Sequence, residues 1–149
     1  MFNIYSIKEQ LINDTASLFD QYRIFYKMES DLISSQVFIS ERFEKQDSFI
    51  FIAYKNNKPA GFTQIYPSFS SVAMKKVWIL NDLFVSKPFR KSGCAISLLK
   101  HVEQQAKKRS IFSIKLATAN SNKEAKNLYH KLGYQLTNEF EHFSKIVAE

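Results

Sequence analysis

Ile79-Leu80-Asn81-Asp82-Leu83-Phe84-Val85-Ser86-Lys87-Pro88-Phe89-Arg90-Lys91-Ser92-Gly93-Cys94-Ala95-Ile96-Ser97-Leu98-Leu99 reads as a buried strand, a short basic turn, a glycine and the first turns of an amphipathic helix. A strand that feeds a basic, glycine-containing loop and a helix N-terminus makes a site for phosphate groups. Backbone N–H groups at the helix start have no intrahelical partner, and the helix dipole favours an anion there.

Downstream, Ala95, Leu98, Leu99, Val102 and Ala106 recur at spacings of three and four, which is one apolar helix face. Lys107-Lys108-Arg109 falls where that helix should end, a favourable place for cations. Ile111 to Ala117 is a strand, so residues 79–117 form a strand–helix–strand crossover, expected to be right-handed. Asn120-Ser121-Asn122 caps a helix carrying Ala125, Leu128, Tyr129 and Leu132, and Gly133 ends it. Tyr134 to Leu136 and Phe140 to Val147 are expected as the last strands, joined through Thr137-Asn138-Glu139.

Upstream, Val72 to Val85 is one long strand, preceded by a loop at Pro67-Ser68-Phe69-Ser70-Ser71. Ser48 to Tyr54 and Pro59 to Tyr66 are strands joined by a hairpin turn at Lys55-Asn56-Asn57-Lys58, where asparagine tolerates positive φ. Gly61 suits a bulge or close packing. A helix begins at Ser30-Asp31, and another carries Leu18, Phe19, Tyr22, Phe25 and Tyr26. The start of the latter is open between Leu11 and a cap at Asn13-Asp14-Thr15. Phe2 to Ile7 alternates as a short strand does. The sum is an α/β (α+β) chain: a mixed sheet of about seven strands flanked on both faces by about four helices, all in one domain, 1–149.

Composition agrees. The 149 residues suffice for one full core, 45% are hydrophobic, and Gly and Pro number 3 each, which favours long elements and short loops. The net charge of +7 fits nucleic acid, an anionic membrane or a polyanionic small ligand. No basic repeat is present, so nucleic acid is disfavoured. One cysteine, Cys94, excludes an intrachain disulfide and a cysteine-based zinc site, and no metal is expected. The start Met1-Phe2-Asn3-Ile4-Tyr5 lacks signal-peptide character and no run reaches membrane-spanning length, so a soluble cytoplasmic protein is expected.

Two motifs resemble the GNAT superfamily of acetyl-CoA-dependent N-acetyltransferases. Arg90-Lys91-Ser92-Gly93-Cys94-Ala95 is similar to the family's pyrophosphate loop, Gln/Arg-x-x-Gly-x-Gly/Ala, with the usual lead-in of Val85, Pro88 and Phe89. Asn120-Ser121-Asn122-Lys123-Glu124-Ala125-Lys126-Asn127-Leu128-Tyr129-His130-Lys131-Leu132-Gly133-Tyr134 resembles its Asn-x-x-Ala-x-x-Leu-Tyr-x-x-x-Gly-Phe/Tyr signature. Trp78 to Val85 and the run Tyr22-Arg23-Ile24-Phe25-Tyr26 look most like the branch of spermidine/spermine, diamine, thialysine and amino-acid acetyltransferases. One departure is Lys91, where many relatives carry glycine.

The resemblance implies direct acetyl transfer from acetyl-CoA to a primary amine. An amine of pKa near 10.4 must be neutral to attack, at a cost of about 4–5 kcal/mol at pH 7. The resemblance gives the proton for the thiolate leaving group to Tyr129, which sits on an apolar helix face; the alternative is a core aromatic. Polyamine-acetylating relatives have a glutamate at Asn81, which cannot be a base, leaving Asp82. Strand alternation puts Asn81 and Asp82 on opposite faces unless a bulge intervenes. Asp82 is then a base, a water holder, a cation site or a structural carboxylate.

For the cofactor, the resemblance implies backbone donors at Leu83, Phe84 and Val85, and a cradle from Arg90, Lys91, Ser92, Gly93, Cys94 and Ala95. Asn120 and Lys126 are further cofactor candidates, although Asn120 also suits a helix cap. Cys94 as an acetyl carrier would need a histidine, and His101 lies about 10 Å along the helix, so a small tolerated residue is favoured. The acceptor is read as a small amine of polyamine, diamine or amino-acid type. The alternatives are a protein lysine or N-terminal acetyltransferase, or a non-catalytic acyl-CoA- or nucleic-acid-binding module. Many relatives form dimers, and Phe140, Phe143, Ile146 and Val147 are candidates for a homodimer interface, with ordinary core as the alternative.

Overall fold

Asn56 and Asn57 both take positive φ, 51° and 61°, and so close the hairpin between β2 (Phe49–Lys55) and β3 (Lys58–Ser70) as a tight two-residue turn. Around that hairpin the computed structural model, which describes residues 1–148, builds a five-stranded sheet in the order β1-β2-β3-β4-β5. β1 is Asn3–Ser6, β4 is Lys75–Val85 and β5 is Ser113–Leu116. All neighbours are antiparallel except β4 and β5, which are parallel and joined through α3 (Cys94–Lys108). The remaining helices are α1 (Ile12–Phe25), α2 (Leu32–Lys45) and α4 (Lys123–Lys131). The chain divides into two compact units, Met1–Ala117 and a second beginning at Thr118.

In the first unit helices cover both faces of the sheet. Ala16 and Leu18 of α1 and Ile39 of α2 pack on Ile50, Ile52, Phe62 and Phe84. On the opposite face Phe51 meets the His101 ring of α3 edge-on at 4.8 Å. There the Arg109 guanidinium, at the end of α3, also lies 5.0 Å over Phe49 and 5.8 Å over Trp78. The cores form because β2 is apolar on both faces, as a central strand must be when helices cover both sides. Gly61 is required by close approach: a Cβ there would sit 2.7 Å from the Phe84 carbonyl oxygen and 3.2 Å from Cys94 Sγ. The neighbouring Ala60 is the extra residue of a bulge, because Ala53 faces Gly61 while Tyr54 faces Pro59.

A second bulge decides where the site lies. Ile65 pairs with Leu80 but Gln64 pairs with Asp82, so Asn81 is an extra residue in β4. Below it, Trp78 faces α3. Above it, Phe84 faces α1. Inserting one residue into a period of two turns Asp82 from the α3 face to the α1 face.

Three expectations are corrected, and the open start of α1 is fixed. The sheet has five strands, not about seven: neither Tyr134–Leu136 nor Phe140–Val147 is a strand. Leu136, Phe140, Phe143, Ile146 and Val147 are instead 76–91% exposed, and apolar spacing without a paired ladder does not make a strand. Pro67 to Ser70 is not a loop but the end of β3, paired with Lys75–Trp78. Past Ile65, β2 no longer runs beside β3, and a proline is tolerated where one edge needs no donor. β4 accordingly begins at Lys75 rather than Val72, after a turn in which Met74 has φ 55°. α1 starts at Ile12, so Asn13-Asp14-Thr15 is not its cap; Asp14 instead accepts the Tyr54 hydroxyl at 2.6 Å.

The second unit holds α4. Asn122 Oδ1 caps it by accepting from Ala125 N at 3.1 Å. Gly133 (φ 90°) ends it with two reverse bonds, Gly133 N to His130 O and Tyr134 N to Tyr129 O, the Schellman arrangement. No helix among the described residues is long and apolar enough to cross a membrane.

Candidate active site

The basic loop leaves β4 through one 3-10 turn, Lys87–Phe89, and enters α3 at Gly93. Gly93 has φ 87° with open space where a Cβ would be, so the backbone angle rather than crowding selects glycine. Ser92 Oγ donates to the Phe89 carbonyl, and Ser86 N donates to Ala60 O at 2.8 Å, which fixes the loop to β3. Arg90 Nε donates to Val85 O at 3.0 Å, and its guanidinium lies 5.7 Å from the Phe25 ring and 5.6 Å from the Phe84 ring. The end of α1 is thereby tied to the loop, and Ser86 Oγ donating to Gln21 Oε1 at 2.9 Å ties it again.

Lys91, exposed, holds φ 59° without glycine's freedom. A left-handed non-glycine residue costs about 1–2 kcal/mol. Lys91→Gly is therefore expected to raise unfolding stability by about 0.5–1 kcal/mol once glycine's larger chain entropy is subtracted. A urea midpoint unchanged or lowered at constant m would show that the lysine side chain holds the loop.

Cys94 begins α3 and is buried against Gly61. Burial pushes its thiol up to about 12, so the thiolate needed for nucleophilic chemistry is suppressed. His101 is engaged with Phe51. Ala95 follows in the first turn of α3.

Leu83, Phe84 and Val85 pair with Thr63, Phe62 and Gly61 of β3. On the other side the register between β4 and β5 ends at Leu80 and Leu116. The two parallel strands part just where the bulge occurs, leaving the β5-side edge of Asn81–Val85 outside the ladder.

Asp82 is the chemical centre of the α1 face. It is 4% exposed, its Oδ2 accepts from Gln64 Nε2 at 2.7 Å, and its Oδ1 accepts from Asn81 Nδ2 at 3.0 Å. Thr63 Oγ1 donates to its carbonyl at 2.8 Å, pinning the bulge from β3. Tyr22 of α1 stands beside it, with ring contacts to Phe62 at 5.8 Å and Phe84 at 6.1 Å. Burial and then the Asp82 carboxylate raise the Tyr22 phenol above the ordinary tyrosine range, keeping it a donor towards Asp82. Tyr66 is raised as well, by burial and then by Asp82. Asp20 is the other buried carboxylate among the described residues, and both its oxygens are spent on the α1–α2 connection, through Ser30 Oγ at 2.7 Å and Asp31 N at 2.8 Å.

The bulge thus brings Asn81 and Asp82 together, where plain alternation would have separated them. In the second unit Tyr129 lies on α4, half-buried, with the Tyr134 ring edge-on at 6.0 Å. Lys126 Nζ donates to the Asn120 carbonyl at 2.6 Å. The helix cap is Asn122, not Asn120. Sequence reasoning missed Gln64 and the contact of Phe25 with Arg90. The signal for Gln64 is an amide set, with Thr63, between the apolar residues Phe62 and Ile65.

The sequence profile of the Acetyltransferase (GNAT) family matches residues 13–134. The chain is 40% identical over 141 residues to an uncharacterized N-acetyltransferase, YhfO, of Bacillus subtilis (strain 168), covering 95% of each chain. It is 25% identical over 138 residues to a thialysine N-epsilon-acetyltransferase of Caenorhabditis elegans, covering 89% of this chain and 82% of that one. The crystal structure of a probable acetyltransferase superposes with a TM-score of 0.92 at 32% identity, over 99% of both chains.

Proposed function

Because the chain belongs to the GNAT acetyltransferase family, we propose that it moves the acetyl group of acetyl-CoA to the primary amine of a small cationic molecule of diamine, polyamine or amino-acid type. The observation that carries the small-amine reading is Asp82. A bulge turns this carboxylate onto an aromatic face, beside Tyr22 and on the strand that feeds the basic loop. A buried anion beside the tyrosines Tyr22 and Tyr66 suits an alkylammonium group. The thialysine acetyltransferase relative, whose name denotes such an amine, points the same way.

In this reading the whole chain works as one transferase domain. The backbone of Arg90, Lys91, Ser92, Gly93, Cys94 and Ala95 receives the pyrophosphate at the start of α3, where helix dipole and unpaired amides favour it. Leu83, Phe84 and Val85 direct their N–H groups to alternate edges of β4, and those on the open edge are offered to the oxygen that becomes negative when the amine attacks. Asp82, held by Asn81, draws in the acceptor's ammonium group and takes its proton, so that the neutral nitrogen attacks the thioester carbon. Tyr129 gives its hydroxyl proton to the departing thiolate. Asn120 and Lys126 are further cofactor contacts. A cytoplasmic location goes with the lone, buried thiol of Cys94.

The test is thiol release from acetyl-CoA with a panel of diamines, polyamines, thialysine and ornithine, run beside a mixed peptide pool. Turnover with a small amine is the expected result. Acetylation of peptides alone would transfer the enzyme to the protein-modifying class, and acetyl-CoA binding without any turnover would remove the catalytic reading.

The homodimer belongs to the same proposal, supported by the exposed apolar run of Leu136, Phe140, Phe143, Ile146 and Val147. Sedimentation velocity is expected to give a dimer that Phe143→Ser weakens. A monomer at micromolar concentration would dismiss it.

A further inference from the structure

Gln64 is fully buried in the middle of β3, on the face that carries Phe62. A buried amide costs free energy unless its polar atoms are partnered. Both ends are. Nε2 meets Asp82 Oδ2 at 2.7 Å, and Oε1 meets Ser48 Oγ at 3.0 Å. An ionised carboxylate only accepts hydrogen bonds, so the Gln64 NH2 must face Asp82. Its carbonyl oxygen then faces Ser48, whose hydroxyl donates. The chain of bonds has one direction: Ser48 to Gln64 to Asp82.

The neighbouring contacts complete a clasp. Asn81 holds the second carboxylate oxygen from within β4, and Thr63 holds the backbone carbonyl of the same residue. One residue is therefore fixed at three atoms by groups that have no apolar packing reason to be there. A strand needing only stability would fill this position with an aliphatic side chain, which is often as stable as a buried polar pair.

We propose that Gln64, oriented by Ser48, is a positioning residue that aims the Asp82 carboxylate at the acceptor's cationic nitrogen and so sets acceptor affinity. The inference rests on Asp82 being the acceptor-binding carboxylate. Gln64 itself touches neither the acceptor nor acetyl-CoA; it acts through Asp82. Groups that fix a functional side chain within a few tenths of an ångström decide how well the site works.

The experiment is a double-mutant cycle with the full chain, reading KM for the amine, KM for acetyl-CoA and kcat separately. Gln64→Met keeps length and apolar fit while deleting the donor. It is expected to raise the amine KM about tenfold, the scale of a lost hydrogen bond to a charged group, with the acetyl-CoA KM unchanged. In an Asp82→Asn background the same substitution is expected to have an effect of less than about twofold, because the group it serves has lost its charge. Ser48→Ala, at the partly exposed end of the chain, is expected to show a smaller rise in the same direction, and it keeps the test readable should Gln64→Met fold poorly. Equal effects of Gln64→Met in both backgrounds, or a rise in both KM values together, would overturn the positioning role and leave a packing role. If Asp82→Asn alone leaves the amine KM and kcat unchanged, it is the acceptor-binding reading of Asp82 that fails, and the inference falls with it.

Discussion

Tyr129→Phe is expected to lower kcat by about 10²–10³-fold while leaving the acetyl-CoA KM within about threefold of the parent, because a general acid typically contributes 10²–10⁴-fold. The substitution removes one oxygen and keeps the ring, so the edge-on contact with Tyr134 and the half-buried face of α4 survive. α4 itself is held by its Asn122 cap and by the two reverse bonds at Gly133, neither of which involves the phenol. A loss of rate with an unchanged thermal midpoint would therefore report chemistry. The expected signature includes the leaving group: an acetyl donor whose thiol has a lower pKa needs the proton less, so the variant should lose less rate with such a donor. Unchanged kcat with acetyl-CoA would return Tyr129 to the role of a core aromatic.

Much of this architecture was legible because it is written in local chemistry. The paired asparagines at 56 and 57, the glycine at 93 and the Gly133 stop each sit at positive φ, where those residue types are favoured; Lys91 is the exception in the loop. What was not legible depends on partners distant in sequence. Pro67 to Ser70 reads as a loop until β4 is laid beside it. Phe140 to Val147 reads as a strand, yet these side chains are exposed and no strand forms, since periodicity proposes a ladder that only a neighbour can supply. The Asn81 bulge belongs to the same class. Its existence is a matter of register between β3 and β4, which no single strand records, although its consequence for Asp82 follows from a period of two. Gln64 belongs to the same class: its importance is visible only once Asp82 lies opposite.

Asp82→Asn is the second change with a large expected effect, about 10²-fold in kcat/KM for the amine, equivalent to about 2.7 kcal/mol. The surrounding network makes it an unusually clean test of charge. A new amide would at first set an NH2 against one of two donors, Gln64 Nε2 or Asn81 Nδ2. Gln64 escapes this by turning its amide over, so that Oε1 accepts from the new group and Nε2 donates to Ser48 Oγ, a hydroxyl that accepts as readily as it donates. The chain of bonds reverses direction without losing a member. The bulge remains pinned, because Thr63 Oγ1 holds the residue's backbone carbonyl, not its carboxylate. Stability should then change by less than about 1 kcal/mol, the net worth of a neutral hydrogen bond. The negative charge, by contrast, disappears from a site that excludes water, where its attraction for an alkylammonium group is least screened. Loss of kcat/KM for the amine, with fold and acetyl-CoA KM retained, is the result that follows from a carboxylate serving the acceptor. Retention of kcat/KM within about twofold would make Asp82 a structural anchor of the bulge and move the search for the acceptor's partner to another carboxylate.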